Sequence, residues 1–242
     1  MRRIGVAIAA IVLSFVVLLS LSACDCGGGG GGKSTPTGTL PPADSVLPGA
    51  VQAFGTLKTF HFELTHENGA SPIPNGLKLV SADGDVIVPD RMHAEVEAKV
   101  GNETVRVEII GVGDEGWMTN PFNRQWQPLP SGTTIKDIFD PAQGVKAIIG
   151  ALQNAQVVGQ EKVGGAQTWH VKGDIQSDVL TTAVPIARPG LTVGIETWID
   201  VNDSRIRQVY LQGPIAPGEP ENIVRKITLS DFDEEITIEP PL

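Results

Sequence analysis

The sequence predicts a β-rich α+β domain, a twisted antiparallel sheet with a couple of helices over its apolar face. Three observations predict it. Period-two alternation of apolar and polar residues recurs along most of the chain. Helical periodicity is confined to a few short stretches. The connections between alternating runs are short, which favours antiparallel neighbours with one face buried and one wet.

The elements follow in order. Asp44 to Phe54 reads as a first helix that accommodates Pro48 and Gly49 poorly. Phe60, Phe62 and Leu64 alternate with His61, Glu63 and Thr65. Met92, Ala94, Val96, Ala98 and Val100 alternate with Arg91, His93, Glu95, Glu97 and Lys99, the cleanest strand in the chain. Val105, Val107 and Ile109 repeat the pattern against Arg106 and Glu108. A helix is predicted from Asp140-Pro141, where Asp140 caps free N–H groups and Pro141 suits the first helical position. Val145, Ile148, Ile149 and Leu152 would form its apolar face. Trp169 and Val171 oppose His170 and Lys172, and Ser177 to Thr182 reads as a short helix that Pro185 ends. Leu191, Val193, Ile195 and Ile199 share a face, and the turn Asp200-Val201-Asn202-Asp203 leads into Arg205 to Leu211. Ile223, Ile227 and Leu229 form a late strand, followed by Phe232, Ile236 and Ile238.

The N-terminus carries a different signal. Arg2 and Arg3 precede an apolar run from Ile4 to Leu21, which closes on Leu21-Ser22-Ala23-Cys24. A charged start, apolar middle and small-residue exit make a secretory signal over residues 1–23. The ending resembles the bacterial lipobox, in which the cysteine is acylated and becomes the new N-terminus. An uncleaved membrane helix is the competing reading, but it has no need of that exit followed by glycines. Residues 24–43 then form a lipidated Cys24 and a tether rich in Gly, Ser, Thr and Pro. Residues 44–242 remain as one domain, placed by the lipid on the extracytoplasmic face of a cell membrane. Asp25 would favour inner-membrane retention wherever a Lol sorting system operates.

Both cysteines of the chain, Cys24 and Cys26, lie at this junction, so no disulfide inside the domain is expected. Loss of Arg2 and Arg3 with the signal takes the formal net charge from −10 to −12. That balance argues against nucleic acid, which needs clustered Lys and Arg. It also leaves membrane affinity to the acyl chains.

Chemistry-bearing motifs are weak. Gly111-Val112-Gly113-Asp114-Glu115-Gly116 matches a dinucleotide fingerprint, but Trp117-Met118-Thr119-Asn120-Pro121 follows where a helix should hold the pyrophosphate. A hairpin is expected instead. Asp200-x-Asn202-x-Ser204 opens like a calcium loop, yet Arg205 replaces the glycine and Leu211 the bidentate glutamate. His61, His66, His93 and His170 lack ligand spacing, and His61 and His93 fall on wet strand faces. No Gly-x-Ser-x-Gly elbow occurs, and Cys26 has no positioned base. No catalytic residue, cofactor or metal is therefore predicted, and a hydrolase ranks last among the readings.

What remains is the apolar face. Val96, Ala98, Val107, Ile109, Val193 and Ile195 are the candidate lining of a cavity, roofed by the helix with Ile148, Ile149 and Leu152. The alternative is a filled core in an envelope lipoprotein that acts through protein partners. Composition leaves both open.

An ordered set of motifs resembles the mycobacterial LppX/LprA/LprF/LprG lipoproteins and their relatives. It comprises Gly84-Asp85-Val86, Pro89-Asp90-Arg91-Met92, Val107-Glu108-Ile109-Ile110-Gly111 and Trp117-Met118. Pro121 through Trp126, Asp140-Pro141, Thr197-Trp198-Ile199-Asp200, Leu229-Ser230-Asp231-Phe232-Asp233 and Glu239-Pro240 complete it. The resemblance implies a strongly curved antiparallel half-barrel with helices across its mouth, similar to the carriers LolA and LolB. It also implies a multi-acyl lipid or glycolipid ligand held between sheet and helices, and an envelope transporter as a possible partner. No ligand residue of that family carries over to a position here.

Overall fold

The computed structural model describes residues 39–73, 77–129, 147–181 and 187–241, all within one compact unit, Lys33–Leu242. The expected leader and residues 24–38 of the expected tether, together with Asp140, Pro141, Val145 and Pro185, lie outside the described residues, while Ala43, expected as the tether's last residue, opens α1. A helix α1 (Ala43–Gly55) is followed by β1 (Thr59–Glu67), β2 (Ser71–Ile73), β3 (Leu77–Ile87), β4 (Arg91–Val100), β5 (Glu103–Val112), β6 (Glu115–Thr119) and β7 (Trp126–Pro128). The second half holds β8 (Gln153–Val163), β9 (Ala166–Gln176), a 3-10 turn (Ser177–Leu180), β10 (Thr192–Asp200), β11 (Ile206–Gln212) and β12 (Val224–Ser230).

The strands form one 12-stranded, curved, open antiparallel sheet in the order β7-β6-β5-β4-β3-β1-β12-β11-β10-β9-β8, with β2 paired to β3. Two meanders, β3 to β7 and β8 to β12, are joined by β1, which pairs β3 on one side and β12 on the other. The edges β7 and β8 are consecutive in sequence. The chain thus passes from one edge of the sheet to the other through the segment containing Ile148, Ile149 and Leu152.

Local chemistry explains most elements. In α1, Ala43, Leu47, Ala50 and Phe54 are buried on one stripe, while Pro48 faces outward. A proline inside a helix costs about 3 kcal/mol. Burial of a large apolar side chain returns about 1.5–3 kcal/mol, so Leu47 and Phe54 offset that penalty and the helix forms. Gly84 marks a close approach: a Cβ there would stand 2.3 Å from the His93 carbonyl oxygen, so β3 and β4 meet more tightly than a side chain allows. Register shifts at Leu79/Ser81, Trp198/Ile199, Gln153/Gln156 and Val157/Gly159 add bends.

The structure adds to or changes the sequence reading at three places. Ile236 and Ile238 belong to no strand. Residues beyond β12 instead strap the sheet end: Asp233 N–H donates to the Thr59 carbonyl (2.9 Å), and Arg91 Nη1 donates to the Ile238 carbonyl (2.9 Å). Val100 leaves the buried face at the end of β4, 48% exposed. Finally, β8 has no apolar alternation to announce it; only Val157 of its residues is buried, as an edge strand permits.

Candidate functional site

The sheet's inner face is a site assembled by register. Val157, Val171, Thr197, Val209, Ile227, Leu64, Ala82, Val96 and Val107 stand directly opposite one another on successive strands from β8 to β5. All but Thr197 are aliphatic. Beside this row lie Phe62, Ala94, Ile109 and Met118 toward one end of the sheet, and Ile195 and Leu211 toward the other. The inner face is thus a nearly continuous apolar surface crossing nine strands, contributed by residues that no local window of sequence brings together.

The candidate residues fall as follows. Val96, Val107, Val193 and Ile195 are buried in one hydrophobic cluster, with Ile109, Ile148, Ile149 and Leu152 partly buried against it. Ala98 is buried as well, set between Leu79 and Val105. Gly173 explains how the crossing segment reaches the sheet: a Cβ there would meet Leu152 Cγ at 2.9 Å, so the missing side chain is the seat for Leu152. Residues 147–150 are helical, and Ala151 N–H donates to the Ala147 carbonyl.

Next to Leu211 the inner face turns polar. Arg225 and Glu219 form an ion pair with side chains 6% and 0% exposed. Arg225 Nε donates to Ser71 Oγ (2.9 Å), and Nη1 to the Gly213 carbonyl (3.1 Å). Glu219 Oε2 accepts the N–H groups of Ile215 and Ala216. His66 Nδ1 faces the Val80 carbonyl (2.9 Å), which can only accept, so Nε2 of the neutral ring accepts from Ser71 (2.8 Å). This cluster ties β2 and the β11–β12 connection to the sheet end. Sequence reading missed it because its members come from four separate stretches of chain.

On the wet face, His61 lies between Asp85 (2.8 Å) and Asp83 (3.3 Å). His170 sits at 7% exposure despite its wet-face position, stacked on Trp198 at 4.3 Å between ring centroids. Its Nε2 meets Glu196 at 2.6 Å and its Nδ1 meets Glu161 at 3.3 Å. Among the described residues, no group of three or more His, Cys, Asp or Glu is arranged to hold a metal. The two motif matches form hairpin turns: Gly113 and Asp114 link β5 to β6, and Val201 to Arg205 link β10 to β11.

Two histidines give opposite pH dependence. Burial opposes charging His61, but its hydrogen bond to Asp85 and the charges of Asp83 and Asp85 outweigh it and raise its pKa above the ordinary 6.5. Its stabilising contribution is full below the unfolded pKa and is lost as pH rises through the folded value. For His66, burial and then the Arg225 charge lower the pKa, partly opposed by the Val80 hydrogen bond. Its contribution is present above the unfolded pKa and lost as pH falls. His61→Gln should therefore lower the thermal midpoint more at about pH 5.5 than at about pH 8. Equal losses at both pH values would contradict the assignment.

An open, curved antiparallel sheet with an aliphatic inner face and helical segments packed on it defines a mostly β domain of the half-barrel class. The chain belongs to the LppX_LprAFG lipoprotein family, whose model matches residues 42–238. It is 25% identical to LprF of Mycobacterium bovis, named for diacylated glycolipid transport, covering 98% of this chain and 91% of that one. It is 22% identical to the lipoarabinomannan carrier protein LprG of Mycolicibacterium smegmatis, covering 94% of this chain and 95% of that one. The crystal structure of M. bovis LprF superposes with a TM-score of 0.63 at 20% identity, covering 82% of this chain and 96% of that one. That of Mycobacterium tuberculosis LppX gives 0.57 at 16% identity, covering 81% and 99%.

Proposed function

We propose that this protein is a membrane-anchored envelope lipoprotein that binds multi-acyl lipids or glycolipids against its inner face and carries or presents them across the cell envelope. The observation that carries this reading is the aliphatic row from Val157 to Val107, with the segment bearing Ile148, Ile149 and Leu152 packed on the same face. The names of LprF and LprG support a ligand of this class. The driving force would be burial of acyl chains, about 0.8 kcal/mol per methylene, balanced against a similar gain in the bilayer they leave. Binding is thus exchange between two apolar environments and needs no catalytic step, which accords with a carrier and not an enzyme.

Val96, Ala98, Val107, Ile109, Val193 and Ile195 are the proposed lining, and Ile148, Ile149 and Leu152 the proposed roof. Residues 1–23 are proposed as a cleaved signal, 24–43 as acylated Cys24 and tether, and 44–242 as the binding domain. An envelope transporter that loads or receives the lipid is the proposed partner. Native mass spectrometry of the full chain from its own host, with organic extraction of bound material, tests the function. The expected result is protein carrying a lipid with two or more acyl chains. Protein that arrives empty and takes up no lipid would overturn the reading.

Anchoring has its own test. Cys24→Ala should abolish acylation, leaving the precursor unprocessed or releasing the chain from membranes. Fractionation of cells labelled with a radioactive fatty acid measures this. A variant still processed and sedimenting with membranes would refute the anchor.

A further inference from the structure

The strands run so that the β4–β5 and β6–β7 connections lie at the same end of the sheet. Each presents an apolar side chain to water: Val100 is 48% exposed, and Phe122, in the β6–β7 connection, is 86% exposed. Phe122 is not a side chain at the tip of a loose loop. Asn120 Oδ1 accepts the N–H groups of Phe122 (2.9 Å) and Asn123 (3.4 Å), and Arg124 N–H donates to the Asn120 carbonyl (2.9 Å). Arg124 adopts φ +60° and donates through Nη1 to the Arg106 carbonyl (3.1 Å), anchoring the turn to β5. A phenylalanine fixed in water by its own turn wants a covering surface.

The charges around it indicate which surface. Lys78 and Lys99 stand opposite each other at this end of the sheet, both exposed. Arg106 and Arg124 have side chains 65% and 51% exposed. Glu97 pairs with Arg106, Glu108 with Arg124, and Glu103 lies across from Val100. Four cations thus flank the two apolar tips in a chain of net charge −10. Aliphatic and aromatic tips flanked by Lys and Arg match a lipid surface, where apolar tips enter the acyl boundary and cations meet phosphates.

We propose that this end of the sheet, led by Phe122 and Val100, is the surface through which the domain docks on a phospholipid bilayer when it exchanges lipid. The proposal rests on the carrier reading for its purpose, but docking is measured separately from lipid binding. Docking at the sheet end would bring that end of the inner face to the membrane without the domain lying flat on it.

The test uses the full acylated chain with Cys26→Ser, anchored in vesicles of phosphatidylcholine with a minor fraction of phosphatidylglycerol. Spin labels are placed through Phe122→Cys, Val100→Cys or Glu115→Cys, the last an exposed position at the opposite end of the sheet. Labels at 122 and 100 should be relaxed more by oxygen than by a water-soluble nickel chelate, and the label at 115 the reverse. A label at 122 as open to the chelate as that at 115 would overturn the proposal. So would a label at 122 immobilised and shielded from both reagents, which means a protein partner or a second copy covers it.

The unlabelled double variant Phe122→Asp, Val100→Asp provides a second readout. Its uptake of a fluorescent diacyl lipid from vesicles should slow about tenfold or more, with uptake from detergent micelles unchanged. Equal slowing from both sources would overturn the docking role. If the unmutated protein takes up no lipid from either source, the carrier reading fails, and the label depths still decide whether this end meets the membrane.

Discussion

Replacing Ala98 by Trp is expected to block lipid uptake almost completely while leaving the lipid-free fold nearly as stable as before. Ala98 is 2% exposed on β4, between Leu79 of β3 and Val105 of β5. An indole there projects over the inner face toward the place proposed for acyl chains. Where that face is a site for ligand, the added ring takes the ligand's position and meets little resistance from the protein. Where the face is a filled core, the same ring must displace neighbours, which costs about 1–3 kcal/mol. The two readings of the inner face thus predict opposite outcomes for one substitution. The measurement is paired: chemical denaturation of the lipid-free protein, and uptake of a fluorescent diacyl lipid. Strong destabilisation of the variant, with no uptake by the unmutated protein, would sink the carrier reading and establish the filled core.

Glu219→Ala should cost about 3–5 kcal/mol, the range for breaking a buried ion pair by removing one partner. A domain is commonly stable by only about 5–15 kcal/mol, so this is a large share. The reason is specific to the site. Arg225 would keep its charge at 6% side-chain exposure without its carboxylate, and the N–H groups of Ile215 and Ala216 would lose their acceptor. The β11–β12 connection and β2 should loosen together, since Ser71 is held through Arg225. Urea denaturation gives the size of the loss. The pair Glu219→Leu with Arg225→Met should recover the part due to the uncompensated charge, while the N–H groups of Ile215 and Ala216 stay without their acceptor. A single variant as stable as the unmutated protein would show that water or another anion already compensates Arg225.

Several local readings carried directly into the structure. The alternation from Met92 to Ala98 is the buried face of β4, and the alternation around Phe60 and Phe62 is that of β1. Both belong to long strands flanked by neighbours on each side, where a side chain's direction depends only on its parity in the strand. β8 escaped notice because an edge strand with two register shifts needs few apolar residues. β3 was visible only through its Gly84-Asp85-Val86 motif, because Ala82 and Gly84 supply little hydrophobic contrast. By parity His170 shares a face with Lys172, and stacking on Trp198 buries it there.

By itself the sequence determined the strand-rich class, the direction of most side chains, the hairpins at Gly113-Asp114 and Val201-Asp203, and the family pattern. These depend on interactions within a few residues: backbone propensity, period-two burial and turn chemistry. Only the tertiary structure decided that β1 joins the two meanders and that β7 and β8 are the edges. It alone aligned Val157 with Val107 through seven intervening residues, and brought His66, Ser71, Glu219 and Arg225 into contact. Alternation states which face a side chain takes but not which strand will lie beside it. That choice is made by the packing and pairing free energy of the whole sheet, summed over residues far apart in the chain.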